Sequence, residues 1–355
     1  SETYNHQSVS RMEIGRFITP FMDMNKTPNE VPYDFELDNV AYILHDMNLR
    51  EQYDMWLEFE LFGISGAAQK EIVGCAGRDD VFAGTITWFS NDNPMANRRD
   101  SFTVPIVMKN PEYVAGNLNN YSAAGTDTIG VCSKTWRFTV PKAVSHSLLT
   151  LISSNHGANL GGEEYNRRLH LVYLDKELVM TYTPGGVSCE PYRVYNTQPN
   201  GIYGYEPDMD FWLNYSNWCP GAVIPTRFLE FENLAAGQHE IMIRVPDAEF
   251  VNMQGDIPVS MYFQGFDFDP SGTDVIKDID RDIDKVELVR DGDALHILSG
   301  VHPVAEVQII TIDGRMVGKI GGNRSQIDIS GLSGGAYLVA VFTADGLVST
   351  TRIVK

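Results

Sequence analysis

Two clusters of side chains have the composition needed to hydrolyse or hold a polar substrate. In MWLEFELF (55–62), a two-residue period puts Met55, Leu57, Phe59 and Leu61 on one strand face and Trp56, Glu58, Glu60 and Phe62 on the other. Two carboxylates on one face stand about 7 Å apart. If shielded, each raises the pKa of the other, which separates an acid from a base. The competing reading is a solvent-facing strand with two hydrated glutamates. In SSNHGANLGGEEYNRRLH (153–170), a glycine-rich loop delivers Glu163 and Glu164 to the mouth of a strand carrying Arg167, Arg168 and His170. Carboxylates, amides and a ring gathered in one loop suit a sugar or amide substrate. A hairpin with surface ion pairs is the competing reading. A third stretch, DFWLNYSNWCPGAVIPTR (210–227), packs two tryptophans, two prolines and a cysteine into a segment that either pins a corner or forms a wall. The sequence has no nucleophilic-serine elbow, HExxH helix or phosphate loop.

These clusters sit among short alternating or β-branched runs broken by Gly, Pro and Asn. Besides 55–62 they include GTITWF (84–89), SFTVPIVM (101–108), RRLHLVYLD (167–175) and QHEIMIRV (238–245). The pattern predicts antiparallel sheets stacked as sandwiches. One amphipathic helix is predicted over 38–47, with Asp38 as its cap. From Pro270 the chain turns polar and acidic, and 271–284 reads as a linker. Its Asp278, Asp280, Asp282 and Asp284 alternate, but the glycine and distal glutamate of a calcium loop are missing. Beyond it, 285–355 reads as a separate small β-sandwich with a hairpin at IDGR.

At 355 residues the chain is long enough for two or three domains, and 43% hydrophobic with 11% aromatic residues suits strand-rich folding. The formal charge of −20 excludes a nucleic-acid or anionic-membrane partner that needs a basic footprint. No apolar run approaches the roughly 20 residues of a bilayer span. Four cysteines, Cys75, Cys132, Cys189 and Cys219, lack CxxC spacing and leave two bridges, one or none open.

EIGRFITPF (13–21), the loop ending in Glu164, and NWCPGAVIPTR (217–227) together resemble the bacterial peptide:N-glycosidase F family, in that family's order, with the likeness spanning roughly residues 11–270. The resemblance implies two adjacent jelly-roll sandwiches, 1–98 and 99–270, with the active site between them. It implies hydrolysis of the amide joining an N-glycan to asparagine, without metal or cofactor, on an N-glycoprotein or glycopeptide substrate. The alternative is a non-catalytic N-glycan-binding protein on the same scaffold. A third reading makes the sandwiches spacers in a surface protein.

Residue by residue, the resemblance implies catalytic roles for Glu60 and Glu164, which should converge between the sandwiches. Phe62 stands where the family has a tryptophan. Asn155, His156, Tyr215 and Trp218 fall at substrate-binding positions, with Tyr215 in place of an arginine. Cys189 is expected to bridge to Cys219; Cys75 and Cys132 have no family counterpart, and a second bridge between them is expected only because exported proteins rarely keep exposed thiols. Gly162 and Asn166 replace the family's cysteines around the loop glutamate. The family's principal aspartate, in a Trp-Asp-Arg strand ahead of 13–21, has no counterpart among the twelve residues before Glu13. It is expected on a strand upstream of Ser1. LSGGAYLVAVFTADGLVSTTRIVK (332–355) is similar to sorting domains of secreted Bacteroidetes proteins, which implies export and contact with secretion or cell-envelope machinery.

Overall fold

Alternating runs become strands where a second layer covers one of their faces. The computed structural model describes residues 10–61, 63, 65–80, 83–90, 99–108, 132–157, 162–198, 202–250, 255–268, 286–299, 303–312, 314–322, 324–344 and 348–355. The first hundred residues supply β1 (Arg16–Phe17) and three short helices, α1 (Asp38–Leu44), α2 (Met47–Gln52) and α3 (Ser65–Glu71). The helix expected over 38–47 is thus broken at Asp46, whose side chain accepts from the N–H groups of Asn48 and Leu49 and caps α2. Asp38 lies inside the first turn of α1 and does not cap it. The runs at 55–61 and 84–89 are not strands. No neighbouring chain among the described residues offers them a ladder, and Met55, Trp56, Leu57 and Phe59 remain exposed.

The centre of the chain is a sandwich. Its elements are β2 (Phe102–Val107), β3 (Ser133–Val140), β4 (Val144–Ser153), β5 (His170–Leu174), β6 (Glu177–Tyr182), α4 (Met209–Tyr215), β7 (Val223–Ile224), β8 (Thr226–Leu234), β9 (Gly237–Arg244) and β10 (Val259–Phe266). One antiparallel sheet runs β2-β10-β4-β8 and the other β3-β9-β5-β6. Leu149 and Leu151 of β4, Val172 of β5, Ile241 and Ile243 of β9 and Phe263 of β10 meet between the sheets.

The opposite face of β4 and β10 is covered too, by the N-terminal segment. Tyr42 of α1 packs on Leu148 and Phe266. Asn39 donates from Nδ2 to the Tyr262 hydroxyl (2.7 Å) and Gln264 Oε1 (3.1 Å), and Gln264 donates back to the Asn39 carbonyl (3.0 Å). Burial on both faces explains why β10 is buried at every position and why LLTLIS in β4 loses the polar alternation of a half-exposed strand.

β1 pairs antiparallel with β7, Arg16 opposite Ile224 and Phe17 opposite Val223. The ladder extends as Ile18 donates to the Ala222 carbonyl and Gly221 to that of Ile18. EIGRFITPF and NWCPGAVIPTR, two hundred positions apart, are therefore hydrogen-bonded to each other.

The C-terminal unit has its own core. A sheet of β11 (Glu287–Asp291), β12 (Ala294–Leu298) and β15 (Gln326–Asp328) faces a second sheet built from β13 (Val304–Thr311), β14 (Met316–Gly321), β16 (Ala336–Thr343) and β17 (Val348–Val354). Leu295, Val307, Val339 and Val341 fill the space between. The hairpin at IDGR joins β13 to β14. This unit docks on the outward face of β5 and β9. Tyr173 and Leu171 pack with Val289, the Tyr173 hydroxyl donates to Asp291 (2.8 Å), and Arg244 pairs with the same carboxylate (2.5 Å). The described chain is mostly β, in several antiparallel sheets, as its patterning predicts. The acidic linker 271–284 lies outside the described residues, and no described helix is long and apolar enough to cross a membrane.

Candidate functional site

β4 ends at Ser153, and the chain runs on through Ser154, Asn155 and His156, which forms an isolated bridge to Asp256 with both backbone bonds made (2.8 and 2.9 Å). Gly157 has φ 132°, which favours glycine, and turns the chain so that its N–H donates to Glu164 Oε2 at 3.3 Å. The Glu164 N–H returns to the Gly157 carbonyl (3.3 Å). A turn at 163–165 thus closes against the end of β4. Its far side is held by Asn217, whose backbone N–H donates to the Glu164 carbonyl (3.0 Å) and whose Nδ2 donates to the Glu163 carbonyl (2.5 Å). Trp218 follows, and its Nε1–H donates to the Asn155 carbonyl at 2.9 Å while its ring centroid lies 5.9 Å from that of His156. Tyr165 meets Tyr215 edge to face at 5.6 Å.

Asn155, His156, Glu164, Tyr215 and Trp218 therefore gather in one place. Glu164 is 9% exposed, and its burial raises the carboxyl above the usual carboxylate range, with hydrogen bonds from Tyr165 and Gly157 pulling the other way. A carboxyl whose pKa is raised by burial is a better general acid towards a leaving nitrogen than an ordinary surface carboxylate. Trp218 has its N–H occupied, so what it offers a ligand is a ring surface. Asn155 is fully buried, and neither its Oδ1 nor its Nδ2 has a hydrogen-bond partner among the described residues.

The neighbouring residues of the glycine-rich loop are structural. Glu163 has no exposed surface; Arg168 contacts both of its oxygens at 3.2 Å, and the Glu249 N–H adds a third bond (3.0 Å). Arg167 staples the loop to the carbonyls of Pro184 and Leu213. His170 is buried on the Tyr182 ring, donates from Nδ1 to the Arg168 carbonyl (2.9 Å), and is pushed down to about 3 by desolvation. The reading of 163–170 as a surface hairpin is thus overturned, because a second layer covers these groups. Where the family has a small disulfide, Asn166 Nδ2 donates to the Gly162 carbonyl (2.9 Å).

Glu60 is exposed and has no polar partner among the described residues, whereas Glu58 pairs with Arg11 at 3.3 Å. Phe62 lies outside the described residues. Cys189 and Cys219 are bonded, 30 positions apart. Cys75 and Cys132 do not bridge: Cys75 is buried with Ala68 and Ile72, and Cys132 in the core of the central sandwich. The two tryptophans of 210–227 divide the work. Trp212 is buried against the disulfide, while Trp218 is part-exposed beside His156. Among the described residues no group of three or more His, Cys, Asp or Glu is placed to hold a metal ion.

Sequence reasoning missed Glu13, Arg16 and Ser154, which run behind His156, and Tyr165. The i,i+3 Glu–Arg spacing in EIGR was visible, but nothing in the sequence signalled that the pair would be buried.

Two family models match the chain. Residues 126–264 match the C-terminal domain of peptide-N-glycosidase F. Residues 292–355 match the secretion-system C-terminal sorting domain, which marks the chain for export. The peptide-N-glycosidase F resemblance therefore holds over the central sandwich, including Glu164 and Trp218. Among solved structures, PNGF-II is similar at 24% identity over 48% of this chain and 31% of that one, with a TM-score of 0.36. PNGase F, a glycosylasparaginase from Flavobacterium meningosepticum, is similar at 18% identity over 48% of this chain and 54% of that one, TM-score 0.34. The match spans a third to a little over half of those chains, so their activity does not transfer with it. No curated protein matches.

Proposed function

We propose that the chain acts as a peptide:N-glycosidase F-like amidase, hydrolysing the side-chain amide of a glycosylated asparagine and releasing the N-glycan. The observation that supports this most is a buried carboxyl with a raised pKa, Glu164, set beside His156 and the Trp218 ring within the segment that matches the peptide-N-glycosidase F C-terminal domain. In this reading, water adds to the amide carbonyl carbon. The C–N bond breaks, and the nitrogen takes a proton as it leaves on the sugar, so that the products are an aspartate and a glycosylamine. Glu164 supplies that proton. Trp218 and Tyr215 line the path of the first sugars, and Asn155 and His156 form the floor. Glu60 is assigned the accompanying carboxylate, which must approach from its exposed strand-like run when substrate is bound.

Incubation with a denatured N-glycoprotein, with glycan release and Asn-to-Asp conversion both read by mass, tests the proposal. Release with conversion supports it. Binding without release supports the second reading, a glycan-binding protein, which the exposed and unpartnered position of Glu60 favours.

A further inference from the structure

Four side chains from two separate segments form one polar line behind the site. Arg16 on β1 is 7% exposed, and its Nε and Nη2 donate to Glu13 Oε1 (2.7 Å) and Oε2 (2.8 Å). Glu13 also accepts from the Ser260 hydroxyl. The remaining arginine nitrogen, Nη1, donates to Ser154 Oγ (2.8 Å) and to the Pro258 carbonyl (3.0 Å). Ser154 Oγ lies 2.8 Å from His156 Nε2, and Ser154 is 2% exposed.

The chemistry of the donors fixes the direction of this line. A guanidinium can only donate, so one lone pair of the Ser154 oxygen is taken by Arg16. The hydroxyl proton then has His156 Nε2 as an acceptor within reach, provided that Nε2 carries no proton. If Nε2 were protonated, two donors would converge on Ser154 and its own proton would have to find another acceptor in a buried site. An imidazolium would also place a second positive charge next to Arg16. Among the described residues, charged groups around His156 include Arg16 and Glu13 behind it, Glu164 beside it through Gly157, and Asp256 on the bridging segment.

We propose that Glu13, Arg16 and Ser154 form a positioning relay that holds His156 as the neutral Nδ1–H tautomer. A cation at His156 would favour ionisation of the adjacent Glu164 carboxyl. By keeping the ring neutral, the relay protects the proton that Glu164 must deliver. This consequence for turnover rests on the amidase reading; the tautomer does not.

The test uses the full chain with ¹⁵N-labelled histidine. The two ring nitrogens of His156 are assigned by comparison with His156→Gln. The wild type is expected to show a protonated Nδ1 and an unprotonated Nε2. Ser154→Ala should shift the ring towards the Nε2–H form, and Ser154→Thr, which keeps the hydroxyl, should restore it. On a glycopeptide, Ser154→Ala should lower kcat about ten- to a hundredfold with KM unchanged. A wild-type ring protonated at Nε2 overturns the relay even if Ser154→Ala does not fold, and so does a tautomer unmoved in a folded Ser154→Ala. A tautomer shift in Ser154→Ala, alongside a wild-type chain that releases no glycan, supports the relay and sinks the amidase reading instead.

Discussion

Replacing Glu164 by glutamine isolates the proton from the shape of the site. The Glu164 carboxyl is hydrogen-bonded to the Gly157 N–H (3.3 Å) and to the Tyr165 side chain, partners that a glutamine amide can also engage. The loop is otherwise held by backbone contacts to Gly157 and Asn217 that the substitution leaves alone. Folding should therefore change by less than about 1 kcal/mol. The direction of any change follows from linkage. Burial raises the folded-state pKa of this acid, so the stability tied to its protonated form is present at low pH and lost as pH rises through the raised value. Glutamine removes that loss, and Glu164→Gln should be slightly more stable than the wild type on the alkaline side. Turnover should move the other way. General-acid catalysis contributes about a hundred- to ten-thousandfold, or about 3–5 kcal/mol of barrier. Initial rates on a glycopeptide, with both products measured by mass across a pH series, give the answer. Wild-type kcat should fall as pH rises through the elevated Glu164 value, and the variant should be slow with that limb flattened. Near wild-type turnover, or a loss confined to KM, would remove Glu164 from proton transfer.

Trp218→Leu removes the ring surface but leaves the adjacent disulfide; KM for a glycopeptide should rise about tenfold, roughly 1.4 kcal/mol, with kcat little changed. Equal KM values would place the glycan elsewhere. Asn39→Ala removes the buried donor to the Tyr262 hydroxyl and to Gln264 Oε1 and should cost about 1–3 kcal/mol by denaturant unfolding; an unchanged midpoint would show that this segment does not seal the sheet. Asp291→Asn weakens the contact of the C-terminal unit with Tyr173 and Arg244. It should lower the thermal midpoint while leaving glycan release within about twofold, and a large loss of activity would tie that unit to the site.

How much of this was legible in the sequence depends on where each partner lay. Period-two patterning located β2, β5 and β9 because one face of each is covered by a sheet and the other is partly open or capped late in the chain. The same patterning placed strands at 55–62 and 84–89, where the described residues supply no neighbouring ladder. Alternation specifies a face to bury and says nothing about whether a partner arrives. The helix at 38–47 broke because Asp46 is a better cap than Asp38, a local preference that the apolar spacing had outweighed. At the site, Asn155, His156, Glu164 and Trp218 were placed by resemblance and are close in space. Glu163 and His170 looked equally chemical in sequence, but Glu163 is held by Arg168 and the Glu249 N–H, and His170 by the Arg168 carbonyl and the Tyr182 ring, a burial that no local pattern signals. Burial of Glu13 and Arg16 was invisible for the same reason: Ser154, Pro258 and Ser260 complete the pair from the far side of the sandwich.

The disulfide shows why a corner and a wall are one device here. Cys219 follows Trp218 directly, and Cys189 begins a 3-10 turn over Glu190–Tyr195 whose Arg193 is held by Glu190 and by the carbonyls of Tyr203 and Tyr205. Trp212 fills the space behind the bridge with Tyr192, Tyr203 and Tyr215 around it. On the other side, Gly221 and Ala222 are tied into the ladder with Ile18 on the strand that carries Arg16. Trp218 is therefore clamped between a covalent anchor, a packed aromatic cluster and a β-ladder, and its N–H is spent on the Asn155 carbonyl. A ring fixed at so many points loses little rotamer freedom when a sugar settles on it, so contact with the ligand is opposed by a smaller entropy cost than for a mobile surface tryptophan. The same ladder fixes Arg16, and through Ser154 the orientation of His156. The wall and the polar floor of the site are thus set by one pairing, β1 with β7, between a segment inside the matched region and one that precedes it.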